Sequence, residues 1–336
     1  MQSPRVSIII LNWNGLQDTL ECLDSVKKIN YLNFEVIVVD NGSTDNSVKG
    51  ITKRFPEVTL IATGKNLGFA AGNNVGIRYA INNAAEYILL LNNDTTVDPQ
   101  LLNAFLEASY LYPEAGILGA KIYYYSEPNK IQFAGTTWNK QKCNFTNIGE
   151  GEVDDGITYE CYSESDYVCG CALFFKKEVI EKVGYLESKF FLNYEETDWC
   201  FRSRRSGYKC LFVPKAKVWH KIAVSFGGDS SPMYEYFVVR NKLLWAERNL
   251  SLVEILGVHI RVYIRLLNEF SPRFYIGNYH QYNFIKRIYW ATVKYLKDFR
   301  KKPSDARFVA QIYGLRDYII RRFGDCPNNV RNLNKI

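Results

Sequence analysis

Residues 87–99, YILLLNNDTTVDP, decide the fold of this chain. Residues 88–91 form a continuous apolar run, which is typical of a strand that is buried on both faces of a sheet. The run ends abruptly in Asn92, Asn93 and Asp94. Open α/β sheets bind their ligands at the carboxyl ends of their strands, where this triplet would lie. The triplet therefore predicts either a site for a divalent metal that bridges a diphosphate or an ordinary turn with a helix cap.

Three strand–loop–helix units precede this stretch. Apolar runs predict strands at residues 5–11, 34–39 and 58–62, and apolar residues at helical spacing predict helices after them, the first at 16–29. Pro99 is expected at the first position of the helix that follows the fourth strand. Strands that alternate with helices four times predict an α/β fold with a mostly parallel, doubly wound sheet.

Polar residues follow the second and third of these strands. Asp40 closes the second strand, and it either accepts a hydrogen bond from a pyrimidine base or serves as a turn carboxylate bonded to nearby backbone amides. Asp45 is expected to cap the second helix. After the third strand, Gly68 permits close approach of the backbone to a ligand, and two side-chain amides are available to a ribose or base, those of Asn66 and Asn73.

A cluster of acids lies much later in the chain, within residues 190–202, FFLNYEETDWCFR. Partial desolvation and like-charge neighbours raise the pKa of a carboxyl group toward neutral, as a general base requires. On a helix that begins near Glu195, that residue, Asp198 and Arg202 share one face and can pair internally, whereas Glu196 points elsewhere. The alternative is that these acids only favour a helix N-terminus.

Two basic residues beyond this cluster are further candidates. His220 follows a predicted strand at residues 209–213 and is either a structural histidine or a ligand. Residues 223–232 are rich in serine and glycine and are predicted to close over a bound diphosphate. Arg240, in a helix predicted at 234–248, either supplies a positive group nearby or is a surface arginine.

Charge is distributed unevenly between the body and the C-terminal part of the chain. Residues 1–240 carry 24 Lys and Arg against 28 Asp and Glu, whereas residues 241–336 carry 18 against 7. Apolar and basic residues alternate at helical spacing in 252–267 and 284–302, so these helices either lie at a membrane interface near anionic headgroups or pack as a bundle. No nucleic-acid-binding motif accompanies the basic residues, and no nucleic acid partner is predicted.

Cysteine usage and hydropathy limit where the protein works. The eight cysteines show no CxxC pair and no metal-ligand spacing, which predicts reduced thiols in a cytoplasmic protein. No signal peptide and no apolar stretch of about 18 residues is found, so no transmembrane helix is predicted. The expected location is the cytoplasm, either free or peripheral on the inner face of the membrane.

Four stretches in chain order, VSIIILNWNG, VIVVDNGSTD, NLGFAAGNN and LLLNNDT, resemble the inverting family-2 glycosyltransferases of the GT-A fold. The resemblance implies that Asp40 reads the nucleotide base and that Asn66 and Asn73 lie beside the nucleoside. It also implies that residues 92–94 replace the DxD metal motif of the family. Because Asn92 stands at the first acidic position, one carboxylate is left to hold Mn²⁺ or Mg²⁺, that of Asp94.

The resemblance extends to the acidic cluster and to the end of the catalytic domain. It implies that Glu196 is the catalytic base, where most relatives have Asp, and that His220 completes the metal ligands. Residues assigned to the nucleotide sugar are Asn12, Asn14, Asp40, Asn66, Gly68, Asn73, Asn92 and Asn93. Residues assigned to the acceptor or to support are Glu195, Asp198, Trp199, Arg202 and Arg240.

The implied reaction is a single inverting displacement by a rhamnosyltransferase-like enzyme in cell-surface polysaccharide synthesis. The expected donor is dTDP-rhamnose, with a UDP-sugar second, and the expected acceptor is a glycan or lipid-linked glycan. A catalytic domain is predicted at 1–249, with a nucleotide-sugar half at about 1–125 and an acceptor half at about 126–249, followed by a helical extension at 250–336. The absence of a QxxRW motif predicts non-processive transfer, and a homo-oligomer is left open.

Two other classes of protein remain as alternatives. A sugar nucleotidyltransferase shares the sheet and the metal, but it needs a Gly-rich basic loop after the first strand, where this chain has LNWNG. A non-catalytic nucleotide- or carbohydrate-binding protein is favoured only by the two departures from the family pattern, at Asn92 and Glu196. The reaction product distinguishes these classes, because only a nucleotidyltransferase releases pyrophosphate.

Overall fold

The computed structural model describes residues 3–221, 231–270, 286, 289, 290, 293 and 305–333. The chain divides into two compact units, Met1–Ser225 and Phe226–Ile336. The first contains all the strands of the described residues, and the second is helical. Among the helices of the described part, none combines the length and the apolar character that crossing a bilayer requires.

The first unit alternates strands and helices through its N-terminal half and then becomes richer in strands. Its strands are β1 (Val6–Asn12), β2 (Phe34–Asp40), β3 (Thr59–Ala62), β4 (Tyr87–Asn92), β5 (Thr95–Val97), β6 (Ala115–Tyr124), β7 (Glu127–Phe133), β8 (Thr136–Asn139), β9 (Asn144–Asn147), β10 (Ser163–Ser165), β11 (Ala172–Lys176) and β12 (Lys209–His220). Its α-helices are α1 (Leu16–Val26), α2 (Ser47–Arg54), α3 (Gly68–Asn82), α4 (Leu101–Leu111), α5 (Lys177–Val183) and α6 (Glu195–Arg205), and a 3₁₀ turn covers Ser188–Phe190.

One large sheet has the strand order β10-β12-β6-β11-β4-β1-β2-β3. In addition, β5 pairs with β12, and β7 pairs with β6. Strands β4, β1, β2 and β3 are parallel, and so are β6 and β12. Strand β11 runs antiparallel between β4 and β6. The mostly parallel α/β sheet is confirmed, and the antiparallel insertion joins its two parallel parts.

Both faces of the sheet are covered, which explains the continuous apolar runs. Ile8 and Ile10 belong to a buried cluster that includes residues of α1 and α4, whereas Ile9 belongs to a second cluster that includes residues of α3 and α6. Side chains alternate between the two faces of a strand, so a strand that is covered on both sides needs an apolar residue at every position.

Two predicted positions differ in the structure. Strand β12 does not end at Val213 but continues through Pro214, and its register against β6 shifts between Val213 and Lys217. The proline lies at this irregularity, where a missing N–H does not interrupt a regular ladder. Pro99 precedes α4, which begins at Leu101, so its predicted first helical position is wrong.

The second unit is built from four helices in the described residues. They are α7 (Pro232–Asn249), α8 (Leu252–Phe270), α9 (Ala306–Ile319) and α10 (Asn328–Leu333). Helix α7 contacts the other three, most extensively α9. The boundary predicted at 249/250 therefore falls inside this unit, because α7 packs with the C-terminal helices.

Candidate active site

The carboxyl ends of three parallel strands lie side by side in the first unit. Asn12 at the end of β1 is level with Asp40 at the end of β2. On the other side of β1, Leu11 is level with Asn92 at the end of β4. The polar residues that the sequence places at separate strand ends are therefore neighbours at one edge of the sheet.

Asn12 and Asp40 are buried side by side at this edge of the sheet. The Asn12 Nδ2 donates to Asp40 Oδ1 at 2.9 Å and to the Ser43 hydroxyl at 3.1 Å. Its Oδ1 accepts from the Thr19 hydroxyl and the Gly15 N–H, at 2.9 and 3.2 Å. Asn12 therefore positions Asp40 rather than presenting an amide to a ligand. Asp40 Oδ2 also accepts the Ser43 N–H at 3.1 Å, as the turn alternative requires.

Asn14 joins the loops that follow β1 and β2. It is exposed, its φ is +52°, and its Oδ1 accepts the N–H groups of Thr44 and Asp45 at 2.7 and 3.3 Å. Asp45 in turn accepts the N–H of Ser47, the first residue of α2, at 2.9 Å, although the capping position itself is occupied by Asn46. Asn14 thus holds the loop after β2 against the loop after β1.

Gly68, the first residue of α3, packs closely against another part of the chain. This residue has a φ of +81°, and a Cβ added to it would lie 2.5 Å from the carbonyl oxygen of Phe191. The neighbouring Phe69 N–H donates to the same oxygen at 2.6 Å. One close approach to Gly68 is therefore made by the protein's own chain, and the predicted approach of a ligand to its backbone stays a prediction.

The two amides of this loop also bond within the protein. Asn66 Oδ1 accepts the Gly68 N–H at 2.8 Å and the Asn41 Nδ2 at 3.1 Å. Asn73 is buried, and its Nδ2 donates to the Phe69 carbonyl oxygen at 3.0 Å. These contacts shape the loop, and the predicted contacts of Asn66 and Asn73 with a nucleoside stay predictions.

The polar triplet after β4 divides into three roles. Within the described part of the chain the Asn92 side chain makes no hydrogen bond, so its amide is available at the strand edge. Asn93 Nδ2 donates to the Thr19 hydroxyl at 3.0 Å and fills the space beside Gly15, where a Cβ would lie 2.4 Å from it. Asp94 is buried, and its Oδ1 accepts no hydrogen bond.

Asp94 faces His220 across the pairing of β5 with β12. His220 is opposite Thr95, and the Lys221 N–H donates to the Asp94 carbonyl oxygen at 3.0 Å. His220 Nε2 lies 3.3 Å from Asp94 Oδ1, while its Nδ1 is 3.1 Å from Gln132 Oε1. A glutamine oxygen at Nδ1 favours the tautomer with its proton there, which turns the Nε2 lone pair toward the carboxylate.

A carboxylate oxygen and an imidazole lone pair that face each other suit a shared cation. Among the described residues, no group of three or more His, Cys, Asp and Glu side chains is arranged to hold a metal ion. Two protein ligands fit a site in which water and substrate phosphate supply the remaining ligands, as is usual for Mg²⁺. The Asp94–His220 pair is therefore suited to a cation that also binds a diphosphate.

Glu195 and Glu196 begin α6 after a tight turn. Three residues before the helix have positive φ, namely Phe191 at +65°, Asn193 at +66° and Tyr194 at +74°. Such angles are costly for residues other than glycine, and they occur where the surrounding structure holds a functional segment in place. The turn delivers both glutamates at the first positions of the helix.

The two glutamates have buried oxygens without hydrogen bonds. Burial raises the pKa of Glu196 to about 7, and its Oε2 has no partner. Burial, and then the charge of Glu196, raise the pKa of Glu195 well above its usual range. Glu195 is buried and Glu196 is partly exposed, so Glu196 is the one that a substrate can reach.

The other predicted residues of α6 anchor the helix. Asp198 is buried and accepts from Arg202 Nε at 2.8 Å, and Arg202 also donates to the carbonyl oxygens of Val183 and Tyr185. The Trp199 indole is fully buried and donates to the Gly184 carbonyl oxygen at 2.8 Å. The predicted internal pairing is confirmed for Asp198 with Arg202, while Glu195 Oε2 stays without a partner.

A short segment before β11 connects Glu196 to the metal candidate. The Asn92 N–H donates to the Cys171 carbonyl oxygen at 2.9 Å, and a Cβ on Gly170 would lie 3.5 Å from Glu196 Cγ. The pKa of the Cys171 thiol is raised by its contact with Cys169, by burial and by the nearby charges of Asp94 and Glu196. Glu196 and Asp94 are therefore close to the same strand end, although about a hundred residues separate them.

Arg240 belongs to the interior of the helical unit. It is fully buried, and its guanidinium donates to Asn241 Oδ1, the Tyr236 hydroxyl and the Gly324 carbonyl oxygen. The surface alternative for Arg240 is wrong, and a role toward a diphosphate stays a prediction. Residues 223–230, which were predicted to close over that diphosphate, and most of 284–302 lie outside the described residues.

Sequence reasoning missed two residues that shape the site. Gln132 orients His220, and Gly170 lies beside Glu196, where an added Cβ would be at ordinary contact distance from the glutamate side chain. Gln132 lies in a polar segment without periodicity, so no sequence signal identifies it. Gly170 lies between two cysteines in the CGC stretch, and this small residue is the available sequence signal.

Known proteins with similar sequences point to one family. Residues 7–184 match the sequence pattern described as Glycosyl transferase family 2, which spans more than half of the chain. The chain is 26% identical over 255 residues to the dTDP-rhamnosyl transferase RfbF of Shigella flexneri, covering 72% of this chain and 79% of that protein. It is also 26% identical to the N-acetylglucosaminyl-diphospho-decaprenol L-rhamnosyltransferase of Mycobacterium tuberculosis, covering 58% of this chain and 68% of that protein.

Solved structures show the same fold at low identity. The mannosyltransferase PcManGT from Pyrobaculum calidifontis, in complex with GDP-Man and Mn²⁺, has a TM-score of 0.56 and 15% identity, covering 96% of this chain and 88% of that one. The TarS fragment 1–349 of S. aureus with UDP has a TM-score of 0.52 and 16% identity, covering 98% and 90%. With its GT-A architecture and the family pattern across β1 to α5, the chain belongs to glycosyl transferase family 2.

Proposed function

We propose that the protein is an inverting, non-processive glycosyltransferase that acts in cell-surface polysaccharide synthesis. It transfers one sugar from a nucleotide-diphospho-sugar to a hydroxyl group of a glycan or lipid-linked glycan. The relatives named as rhamnosyltransferases support dTDP-rhamnose as the first donor to test, with a UDP-sugar second. The observation that best supports this proposal is that Asp94 and Glu196 lie near the end of β4 and that each has a buried oxygen without a hydrogen-bond partner.

Glu196 acts as the general base. Its carboxylate takes the proton of the acceptor hydroxyl while that oxygen bonds to the anomeric carbon and the bond from this carbon to the diphosphate breaks. A pKa of about 7 suits this role, because a base near neutrality is largely ionised and still accepts a proton readily. The product sugar is inverted because the acceptor attacks the face opposite the leaving group.

Asp94 and His220 are the residues that would hold Mn²⁺ or Mg²⁺. The orphaned Asp94 Oδ1 opposite His220 Nε2 supports this assignment. A divalent cation bound there supplies positive charge to the leaving nucleoside diphosphate. Gln132 keeps the imidazole oriented, and Asn93 holds the triplet against α1, so the chain presents both ligands without rearrangement.

The nucleotide side of the site is formed by the ends of β1, β2 and β4. Asp40, held by Asn12 and the Ser43 N–H, keeps lone pairs that accept from a base N–H. The Asn92 amide, without a partner in the described residues, is within reach of the ribose or of a water on the cation. These assignments place the donor on the sheet side of Glu196.

Product identification tests the proposed function directly. The protein is incubated with Mn²⁺ and a panel of nucleotide sugars that a thermal-shift screen has ranked, with and without glycan acceptors. Release of nucleoside diphosphate is the expected result. Release of pyrophosphate would show a sugar nucleotidyltransferase instead, and binding without any turnover would show a non-catalytic protein.

A lipid-linked acceptor would require the enzyme to work at a membrane surface, and helix α8 has an exposed apolar face that suits such a surface. Seven apolar residues of α8 are between 40 and 84% exposed. At about 100° per residue they fall within an arc of about 120°, whereas Val258, Val262 and Leu266 are buried. The exposed face, called the α8 stripe below, consists of Leu252, Val253, Leu256, Ile260, Tyr263, Ile264 and Leu267.

The α8 stripe fits the surface of an anionic bilayer. Arg261 and Arg265 are exposed beside it, and residues 241–336 carry 18 Lys and Arg against 7 Asp and Glu. An amphipathic helix that lies in the interface buries its apolar face and keeps basic residues near anionic headgroups. Such docking keeps the enzyme at the membrane where a lipid-linked acceptor resides.

Vesicle flotation of the full chain tests this docking. Leu256→Glu combined with Ile260→Glu should abolish binding to vesicles that contain about a third phosphatidylglycerol, since charge is costly in an apolar interface. Leu32→Glu is the matched control, because Leu32 is a fully exposed leucine outside the helical unit. Equal flotation of all variants contradicts the proposal, and a dimer that only the double variant dissociates would assign the stripe to a second copy.

A further inference from the structure

We propose that Trp138 and Phe145, on the β8–β9 hairpin, form the subsite that binds the acceptor sugar. The inference rests on the proposed function, because it takes Glu196 as the group that meets the acceptor hydroxyl. It adds the residues and the chemistry that hold the acceptor there. The ligand class is a neutral pyranose ring rather than a lipid chain.

The two aromatic residues are built into one surface. Trp138 and Phe145 are directly opposite each other in the antiparallel β8–β9 pair. Residues in such a pair point to the same side of the hairpin. Their ring centroids are 4.8 Å apart with 56° between the planes, and both side chains are partly exposed.

This aromatic surface continues to the catalytic glutamate. The Phe145 ring meets the Tyr167 ring edge-on at 4.9 Å and the Phe201 ring of α6 at 6.0 Å. Burial and then the charge of Glu196 raise the pKa of Tyr167, so its phenol lies near that carboxylate. Trp138, Phe145 and Tyr167 therefore form a continuous row of rings, and the contact with Phe201 joins this row to α6, the helix that begins with the two glutamates.

The hairpin is also clamped to the helix that carries Glu196. The backbone N–H of Trp138 donates to Asp166 Oδ2 at 2.5 Å. Asp166 also forms a salt bridge with Arg204 of α6. The Asp166 N–H donates to the Thr136 carbonyl oxygen at 2.9 Å. The position of the aromatic surface is thereby fixed relative to Glu196, as an acceptor subsite requires.

The chemistry of the surface matches a sugar ring. One face of a pyranose carries C–H groups that pack on aromatic rings, and its hydroxyls need hydrogen-bonding groups around them. On the hairpin, the polar pair that shares the face of Trp138 and Phe145 is Thr136 with Asn147, because side chains alternate between the two faces of a strand. The donor occupies the strand ends at Asp40 and Asn92, so the hairpin side of Glu196 is left for the acceptor.

A binding and kinetic comparison of Trp138→Ala with wild type tests the subsite. The probes are the octyl glycosides of glucose, galactose, mannose, N-acetylglucosamine and rhamnose, used with the full chain. For the glycosides that wild type binds, we expect Trp138→Ala to raise Kd and the acceptor KM by about tenfold. Donor KM and acceptor-independent donor hydrolysis should stay within about twofold, because the change spares the strand ends.

Two variants control the comparison. Trp138→Phe keeps an aromatic face and should restore most of the binding, which a purely structural role for the indole would not predict. Tyr110→Ala removes an 83% exposed aromatic ring from α4 and should change nothing. The proposal is overturned if wild type binds none of the five glycosides, or if Trp138→Ala leaves acceptor KM unchanged. Failure of the proposed function is recognised separately, by the absence of donor hydrolysis in wild type.

Discussion

The protein buries charged groups in two opposite ways, one at the candidate site of the first unit and the other in the helical unit. In the first unit, Asp94, Glu195 and Glu196 each hold a buried carboxylate oxygen that accepts no hydrogen bond. In the helical unit, Arg240 and Asp317 are fully buried but are connected by hydrogen bonds through the Tyr236 hydroxyl, which donates to Asp317 Oδ2 at 2.8 Å. One arrangement leaves carboxylate oxygens without protein partners, and the other pairs its buried charges within the protein.

This difference separates a functional site from a structural one. A buried ionisable group without a partner destabilises the folded state, so such groups persist mainly where a substrate, proton or cation uses them. A buried group with its partners contributes to a specific packing, and removing one partner is costly because the other is left behind. The comparison therefore predicts opposite consequences for substitutions in the two units.

The largest expected effect is that of Glu196→Gln on catalysis. Loss of the general base should lower transfer by about a thousandfold while donor binding changes little. Wild-type kcat/KM should rise with pH through about 7, because only the ionised Glu196 accepts the proton. The variant's residual rate should lose this dependence. If Glu196→Gln keeps its turnover and Glu195→Gln loses it, the base is Glu195.

Arg240→Ala should lower stability while leaving catalysis unchanged, which is the opposite of the effect expected for Glu196→Gln. It leaves the buried Asp317 and Tyr236 without their cationic neighbour, so we expect a loss of about 3 kcal/mol in the free energy of unfolding. Denaturant titration measures it, and kcat of the folded variant should match wild type. Arg321→Ala is the matched control, since Arg321 forms a half-exposed pair with Glu247 and should contribute about 0.5 kcal/mol. Equal losses for the two variants would show that the buried, fully paired Arg240 contributes no more than an exposed ion pair.

Asp94→Asn keeps the size of the side chain but removes the charge that a cation needs. We expect Mn²⁺-dependent donor binding to weaken by about a hundredfold and His220→Ala to weaken it by about tenfold. Calorimetric titration with and without Mn²⁺ measures both. Asp24→Asn, in an exposed pair with Arg54, serves as the control. Identical Mn²⁺ dependence in wild type and Asp94→Asn would exclude Asp94 as a ligand.

The smallest effect concerns stability and pH. The folded-state pKa of Glu196 is about 7, above its usual 4.5, so the folded protein binds a proton that the unfolded chain releases between these values. Glu196 therefore lowers the free energy of unfolding as pH rises through this window. Glu196→Gln should be more stable than wild type by about 2 kcal/mol near pH 8 and indistinguishable near pH 4. Thermal melts at both pH values check this, and a pH-independent difference would contradict it.

How much the sequence could predict depends on the range of the contacts involved. The sheet follows from local apolar runs, and the strand ends at Asp40 and Asp94 follow from where those runs stop. The role of Gly68 could not be predicted, because it depends on the Phe191 carbonyl oxygen far along the chain. The same holds for the burial of Arg240, because Tyr236 and the distant Gly324 enclose its guanidinium.

The central claim is that Asp94 with His220, and Glu196, flank the same donor sugar at the carboxyl edge of the sheet. The most direct measurement is a crystal structure of the full chain with Mn²⁺ and a bound nucleotide sugar, with the ion located by its anomalous scattering. The predicted result is an ion bonded to Asp94 Oδ1 and the diphosphate, with Glu196 on the opposite side of the anomeric carbon. An ion bound away from Asp94, or a donor sugar out of reach of Glu196, would contradict the account.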